Sequence, residues 1–182
     1  MIYYVILGIV LVLVIAIIGV YNSLIQKRNR VKDQFSQIDV LLKRRADLIP
    51  NLVETVKGYA SHEQETFEKV TEARAKVVDA GSAEEELKAN GELTQALGRL
   101  MVVAESYPEL KANENFLDLQ RQLRETEDKI AYARQFYNDA VLLYKNRREM
   151  FPSNIVAALF GFKPEPFFEA SDAERETPQV KF

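Results

Sequence analysis

Apolar residues follow two patterns along this chain, one unbroken and one periodic. Residues 2–21 are apolar almost throughout, and no charged side chain occurs before Lys27. An α-helix rises about 1.5 Å per residue, so about twenty apolar residues cross a hydrocarbon core of about 30 Å. We therefore predict a membrane anchor over residues 1–25, with tyrosines at both interfaces. Its representative lipid-facing residues are Ile2, Tyr3, Tyr4, Leu11, Ile15, Ile18 and Tyr21.

The alternative to a retained helix is a cleaved secretory signal. Such a signal has a basic n-region, a shorter apolar core and small residues before its cleavage site. This segment has no early Lys or Arg, and it ends in Val20, Tyr21 and Asn22. Cysteine is absent from the chain, which excludes a cysteine-linked lipid and disulfides. A retained span is therefore expected.

A basic cluster follows the span, whereas nothing charged except the amino terminus precedes it. Short basic flanks stay in the cytoplasm, so we expect a single pass through the bacterial inner membrane with a cytoplasmic carboxyl-terminal domain. Basic side chains beside a span also attract anionic lipid headgroups. The predicted headgroup contacts are Lys27, Arg28, Arg30 and Lys32.

The rest of the chain shows helical periodicity. Apolar residues recur at steps of three and four from Val31 to Val77, again from Leu93 to Ala104, and from Phe116 to Tyr144. Stripes of this kind bury themselves against one another. We predict an all-α protein in which the transmembrane helix continues into a long first helix of an antiparallel bundle of three to four helices. The predicted domains are the anchor at 1–25, the bundle at 26–152, and a docking segment with an acidic tail at 153–182.

Proline, glycine and serine predict the helix boundaries. Pro50 and Gly58 are expected to kink or break the first helix. Ser82 is expected to cap a helix that begins at Ala83, with Glu85 completing a capping box. That helix should end near Tyr107 and Pro108, residues 107–115 should form a loop, and the last long helix should follow it and run to about residue 151.

The carboxyl-terminal segment combines prolines with aromatic residues. A short apolar turn around residues 155–160 precedes Gly161, Pro164 and Pro166, which prevent a long helix. The aromatic residues pack onto the end of the bundle or contact a membrane surface or a neighbouring subunit. The candidate assembly or docking residues are Phe160, Phe162, Phe167 and Phe168.

Composition and motifs argue against catalysis and nucleic-acid binding. The net charge is -3, and His62 is the only histidine. His62-Glu63 is followed by Thr66 where a zinc-protease motif needs a second histidine, so no metal or other cofactor is predicted. Glu105, Glu127 and Arg134 are predicted to form a structural polar cluster in the bundle, with a catalytic carboxylate pair as the rival interpretation.

Several sequence blocks resemble the LemA family. The most specific block begins with Arg45, Asp47-Leu48-Ile49-Pro50-Asn51-Leu52-Val53 and Val56-Lys57-Gly58-Tyr59-Ala60, followed by His62-Glu63. The later blocks keep the family's order, and they are Tyr107-Pro108-Glu109-Leu110-Lys111-Ala112, Asn113, Asn115-Phe116, Glu127, Ile130-Ala131, Ala133-Arg134, Tyr137-Asn138, Phe151-Pro152 and Phe167-Phe168-Glu169. The resemblance covers nearly the whole chain.

The resemblance implies a bacterial single-pass membrane protein with a helical soluble domain and no established enzymatic activity. The leading hypothesis is a self-associating scaffold that organises or remodels the membrane, with lipids and further copies of the chain as partners. The alternative is an adaptor that tethers a partner protein, such as a membrane protease or sensor. Gly8 and Gly19 are not four residues apart, so assembly is expected through the soluble helices.

Overall fold

The computed structural model describes residues 1–81 and 83–168. These residues form six α-helices and no β-strand. The predicted cap Ser82 and the predicted tail, residues 170–182, lie outside the described residues. The helices are α1 (Ile2–Lys57), α2 (Gln64–Asp79), α3 (Ala83–Glu105), α4 (Pro108–Lys111), α5 (Glu114–Glu149) and α6 (Ser153–Leu159). The all-α fold and the continuity of the apolar segment with the first long helix are thereby confirmed.

Helix α1 carries the predicted span. It is the one helix among the described residues with the length and apolarity to cross a membrane, and its most apolar stretch of 18 residues is not buried in the protein. An apolar helix without protein packing is stable where lipid replaces water around it. The apolar residues at the start of α1 therefore form a candidate membrane span, as the sequence predicts.

The chain divides into two compact units. Unit 1 contains residues 1–37 and 133–168, and the described part of unit 2 contains residues 38–81 and 83–132. Helices α1 and α5 each contribute residues to both units. The predicted domain limits at 25/26 and 152/153 separate the membrane anchor, the bundle and the docking segment. They stay predictions.

Unit 2 is built around the apolar stripes of its helices. The buried positions repeat at helical spacing on α1 and α3, and α2 packs against α3. This pattern is the one that helical periodicity predicts for amphipathic elements that share a core. Fully buried members include Val56, Val70, Leu93, Leu100 and Leu110.

Of the breaks expected at Pro50 and Gly58, the one at Pro50 does not occur, whereas α1 does end beside Gly58. The helix continues through Pro50 and ends at Lys57, just before Gly58. Pro50 has no N–H to bond the carbonyl of Ala46, but the Arg74 Nε donates to that carbonyl at 2.9 Å. The side chains of Ile49 and Leu52 on either side are buried in the core. A bond from α2 and core packing therefore offset the cost of an internal proline.

Unit 1 joins the start of α1 to the end of α5. Leu24 and Val31 of α1 are buried, as are Tyr137 and Tyr144 of α5. After α5 the chain forms the predicted short apolar turn as α6, and residues 162–168 continue as an extended segment. The core of this unit therefore contains more tyrosine than that of unit 2.

Candidate functional site

Arg45 is a buried charge at the centre of unit 2. Its side chain is 3% exposed, and its Nη1 lies 2.9 Å from Oε1 of Glu127, which is 38% exposed. Nη1 also donates to Thr94 Oγ1 at 3.1 Å, while Nη2 donates to the backbone and side-chain oxygens of Asn90. One guanidinium thus connects α1, α3 and α5. A buried ion pair of this type fixes which faces of the helices meet, since a wrong register leaves a charge uncompensated.

The periodicity of the sequence contains a signal for this network. Arg45 occupies the inward position between Leu42 and Ile49, at steps of three and four. Asn90 stands three residues before Leu93 and is likewise buried. A polar residue at a core position of a helix needs a buried partner. Two such residues on different helices therefore predict contact.

The predicted polar cluster has a different composition. Glu127 takes part in the buried network through Arg45. Glu105 is exposed, and the Arg134 guanidinium lies 4.0 Å from the ring centroid of Phe168. The basic partner of Glu127 in this network is therefore Arg45 and not Arg134.

Blocks that carry the family resemblance meet at the α1–α2 and α4–α5 connections. Asn113 Nδ2 donates to the Tyr59 hydroxyl at 2.9 Å, and Asn113 Oδ1 accepts from the Phe116 backbone N–H at 3.0 Å as the cap of α5. The Tyr107 hydroxyl donates to Glu63 Oε1 at 3.4 Å. His62, beside it in the chain, is exposed. These polar residues therefore have structural tasks at one end of the unit.

A second set of such blocks holds the extended segment against α5. Asn138 Nδ2 donates to the Phe168 carbonyl at 3.0 Å, and Asn138 Oδ1 accepts from the Phe168 N–H at 2.8 Å. The Tyr137 hydroxyl donates to the Pro166 carbonyl and the Tyr144 hydroxyl to the Lys163 carbonyl, each at 2.8 Å. Burial, with a smaller effect from Glu165, raises the pKa of Tyr137 to about 12, so this donor keeps its proton. Side chains of α5 therefore hold this segment through its backbone N–H and carbonyl groups.

The four predicted docking aromatics divide into two pairs. Phe162 and Phe168 are buried, whereas Phe160 and Phe167 remain exposed. The Tyr21 ring packs edge-on against Phe160 at 5.0 Å and Phe162 at 5.6 Å, and the Arg28 guanidinium lies 5.4 Å from the Phe162 ring centroid. Packing within unit 1 accounts for the buried pair. The exposed pair leaves room for a partner or a lipid.

The predicted headgroup residues differ in exposure. Arg30 and Lys32 are exposed, while Lys27 and Arg28 are half-buried. Arg28 is partly covered by the Phe162 ring and partly exposed to solvent. Arginine side chains commonly cover apolar groups in this way. All four remain within reach of a membrane surface beside the span, and their contact with lipid stays a prediction.

The titratable groups of unit 2 include one strongly shifted carboxyl. Burial, reinforced by the nearby Asp39 carboxylate, raises the pKa of Glu86 to about 7 from its ordinary 4.5. Since the folded state favours the protonated form, the associated stability is present below about pH 4.5 and is lost as pH rises through about 7. No group of three or more potential metal ligands occurs in the part of the chain that the structure describes.

Comparison with known proteins places these features in a family. The LemA family model matches residues 34–182. The magnetosome protein MamQ 2 of Paramagnetospirillum magneticum is 30% identical over 88% of this chain and 70% of its own length. Protein LemA of Metamycoplasma hominis is 27% identical over 87% of this chain and 73% of its own. Because the family model covers most of its length, the chain belongs to the LemA family.

Proposed function

We propose that this protein is a non-enzymatic, membrane-anchored and self-associating helical scaffold that organises or remodels the bacterial membrane. The proposal depends on one observation above all. In unit 1, α5 carries large apolar side chains on a face that is exposed and does not contribute to the core. Exposed apolar surface on a folded helix is typical of a binding site for another protein.

The exposed face is defined by Phe136 and Leu143. They are seven residues apart, so they share one face of α5, and both are at least half exposed at 59% and 50%. Leu142, about 100° round the helix from Leu143, is exposed as well. The buried residues Tyr137 and Tyr144 directly follow Phe136 and Leu143 in the sequence, so they lie about 100° round the helix from the exposed face, on its other flank, and serve the core. An identical stripe on a second copy is the simplest partner, because homo-oligomer interfaces are commonly built from the same patch on each subunit.

The polar residues support a structural protein more than an enzyme. Hydrogen bonds within the fold occupy the side chains of Asn113 and Asn138 and the two terminal nitrogens of Arg45. A catalytic group needs a polar side chain presented to a substrate in a cleft. Residues presented to solvent on the α5 face are instead apolar, which favours assembly.

The experiment is the mass and shape of the full-length protein in mild detergent, by light scattering and electron microscopy of one sample. The wild type is expected to form regular multimers, and Phe136→Glu with Leu143→Glu is expected to reduce them to monomers. The matched control is Gln135→Glu with Asn146→Glu, which adds the same charge at exposed polar positions of α5. A wild-type monomer contradicts the scaffold and favours the adaptor that tethers a partner protein.

We further propose a single pass through the inner membrane with the helical units in the cytoplasm. Support comes from the basic residues that follow the span, of which Arg30 and Lys32 are exposed. A reporter fused after Phe182 tests this arrangement. Activity of a cytoplasm-specific reporter is expected, and activity of a periplasm-specific reporter reverses the orientation.

A further inference from the structure

Helix α6 is apolar on both sides. Val156 and Ala157 are buried against the rest of unit 1, whereas Ile155 and Leu159, one turn apart, point away from it. Leu159 is 74% exposed, and Phe151, just before the helix, is 80% exposed. After Ser153 and Asn154 at its start, the helix carries only apolar residues, a composition expected where neither side meets bulk water. The α6 surface, defined as Met150, Phe151, Ile155, Leu159 and Phe160, is therefore built to be covered.

The packing of unit 1 fixes the height of this surface along α1. The rings of Phe35 on α1 and Tyr137 on α5 lie 5.9 Å apart, and Tyr21, earlier on α1, packs against Phe162, which follows α5. The two helix segments of unit 1 are therefore antiparallel, and each rises about 1.5 Å per residue. From Phe35 and Tyr137, a step of seven residues leads back to Arg28 on α1 and forward to Tyr144 on α5.

One more step of seven residues leads to Tyr21 on α1 and Phe151 after α5. The edge-on contact of Tyr21 with Phe160, at 5.0 Å, independently places the end of α6 at the same height. Tyr21 is the last residue of the apolar span, where the hydrocarbon core gives way to headgroups. The α6 surface is thus level with the end of the apolar span.

The charges around the α6 surface favour lipid over a second copy of this surface. Lys27 and Arg28 of α1 and Arg147 and Arg148 of α5 lie within about two helical turns of it. Of the nearby acidic groups, Glu149 is paired with Arg148 at 2.9 Å. Basic side chains that surround apolar ones match anionic headgroups above acyl chains, whereas two copies of such a surface repel one another.

We propose that the α6 surface is a second membrane contact, which lies in the interface beside the span and binds anionic phospholipid. The apolar side chains enter the boundary between headgroups and acyl chains, and the arginines meet the phosphates. With the span, this contact gives unit 1 two points of attachment to one leaflet. The inference does not require self-association, since it uses a different surface from Phe136 and Leu143.

The absence of native cysteine permits a direct test. Ala158 is exposed on α6, so Ala158→Cys carries an environment-sensitive fluorophore without removing any residue of the α6 surface. The full-length protein is reconstituted in vesicles of phosphatidylcholine and phosphatidylglycerol. A matched label at Gln135→Cys, exposed on α5 roughly 24 Å higher by helix rise, reports the solvent phase.

The label on Ala158→Cys is expected to shift to the blue and to lose roughly half or more of its fluorescence to lipids with shallow nitroxides. The label on Gln135→Cys is expected to stay unquenched. Ile155→Glu with Leu159→Glu should abolish the quenching, and the volume-conserving Ile155→Leu with Leu159→Ile should retain it. Since both residues are exposed, unchanged far-ultraviolet circular dichroism verifies that these variants fold.

Two results overturn the proposal. The first is an unquenched Ala158→Cys label in a protein whose span is inserted. The second is efficient disulfide formation between two Ala158→Cys chains, which means that another copy covers the α6 surface. Neither result bears on the mass measured in detergent, so failure here is distinguishable from failure of the scaffold.

Discussion

The hydrogen bond from Arg74 to the Ala46 carbonyl predicts a specific non-additivity. Pro50 removes the N–H that normally bonds this carbonyl, and the Arg74 Nε supplies a replacement at 2.9 Å. Ala46 is buried, with 2% exposure, so water is a poor substitute. Restoring an N–H at position 50 should therefore make Arg74 dispensable.

The magnitude follows from the character of this bond. A hydrogen bond to a charged group contributes about 1.5–3 kcal/mol, and Arg74 is half-buried, so Arg74→Met should cost about 1–2 kcal/mol. Pro50→Ala should stabilise α1, since an interior proline costs about 3 kcal/mol before relaxation of the helix. In the Pro50→Ala background, Arg74→Met should cost less than about 0.5 kcal/mol, because the new amide satisfies Ala46.

Urea unfolding of the full-length protein in mild detergent, followed by circular dichroism, measures the cycle. With a slope of about 1–3 kcal/mol per M, Arg74→Met should lower the midpoint by roughly 0.5–1 M in the wild-type background. Lys69→Met is the matched control, since its ion pair with Glu65 on the same helix is exposed and should contribute little. Equal costs of Arg74→Met in both backgrounds would refute the compensation.

Three further predictions concern the network, the shifted carboxyl and the extended segment. Arg45→Met should destabilise the protein by about 2–4 kcal/mol in urea, and the exposed Arg44→Met by less than about 0.5. Between about pH 4.5 and 7 the wild type should lose about 1–2 kcal/mol as pH rises, after allowance for partial exposure, and Glu86→Gln should flatten this dependence. Asn138→Ala should speed amide exchange at Phe168 roughly tenfold or more, while identical exchange contradicts the role of its two bonds.

The helices were predictable because their physical causes are local. The unbroken apolar run, the three-and-four spacing and the turn residues near Gly81 are all visible within short windows of sequence. Pro50 was the exception. The loss of a hydrogen bond at the Ala46 carbonyl is a local effect, but the donor that compensates for it, Arg74, is 28 residues from Ala46 in the sequence. A residue's intrinsic preference does not reveal a tertiary partner that offsets it.

The candidate surfaces were less predictable than the fold. The sequence does not distinguish among the four carboxyl-terminal phenylalanines, yet Phe162 and Phe168 are buried and Phe160 and Phe167 are exposed. The extended segment has no helical period, so the sequence offers no rule for which of its side chains face inward. The side chains of α5 that bond to its backbone determine which residues of the segment face inward.

Arg45 illustrates how a core position can be read from periodicity even when its residue is charged. Leu42 and Ile49 are seven residues apart on the buried face of α1. A residue three or four positions after Leu42 must therefore also face the core. Arginine there looks like part of the basic run Lys43-Arg44-Arg45, although only the first two are exposed. The buried Asn90, in register with Leu93, is the complementary signal on α3. Polar residues that interrupt two apolar stripes at core positions therefore predict each other, and with them the alignment of the helices that carry them.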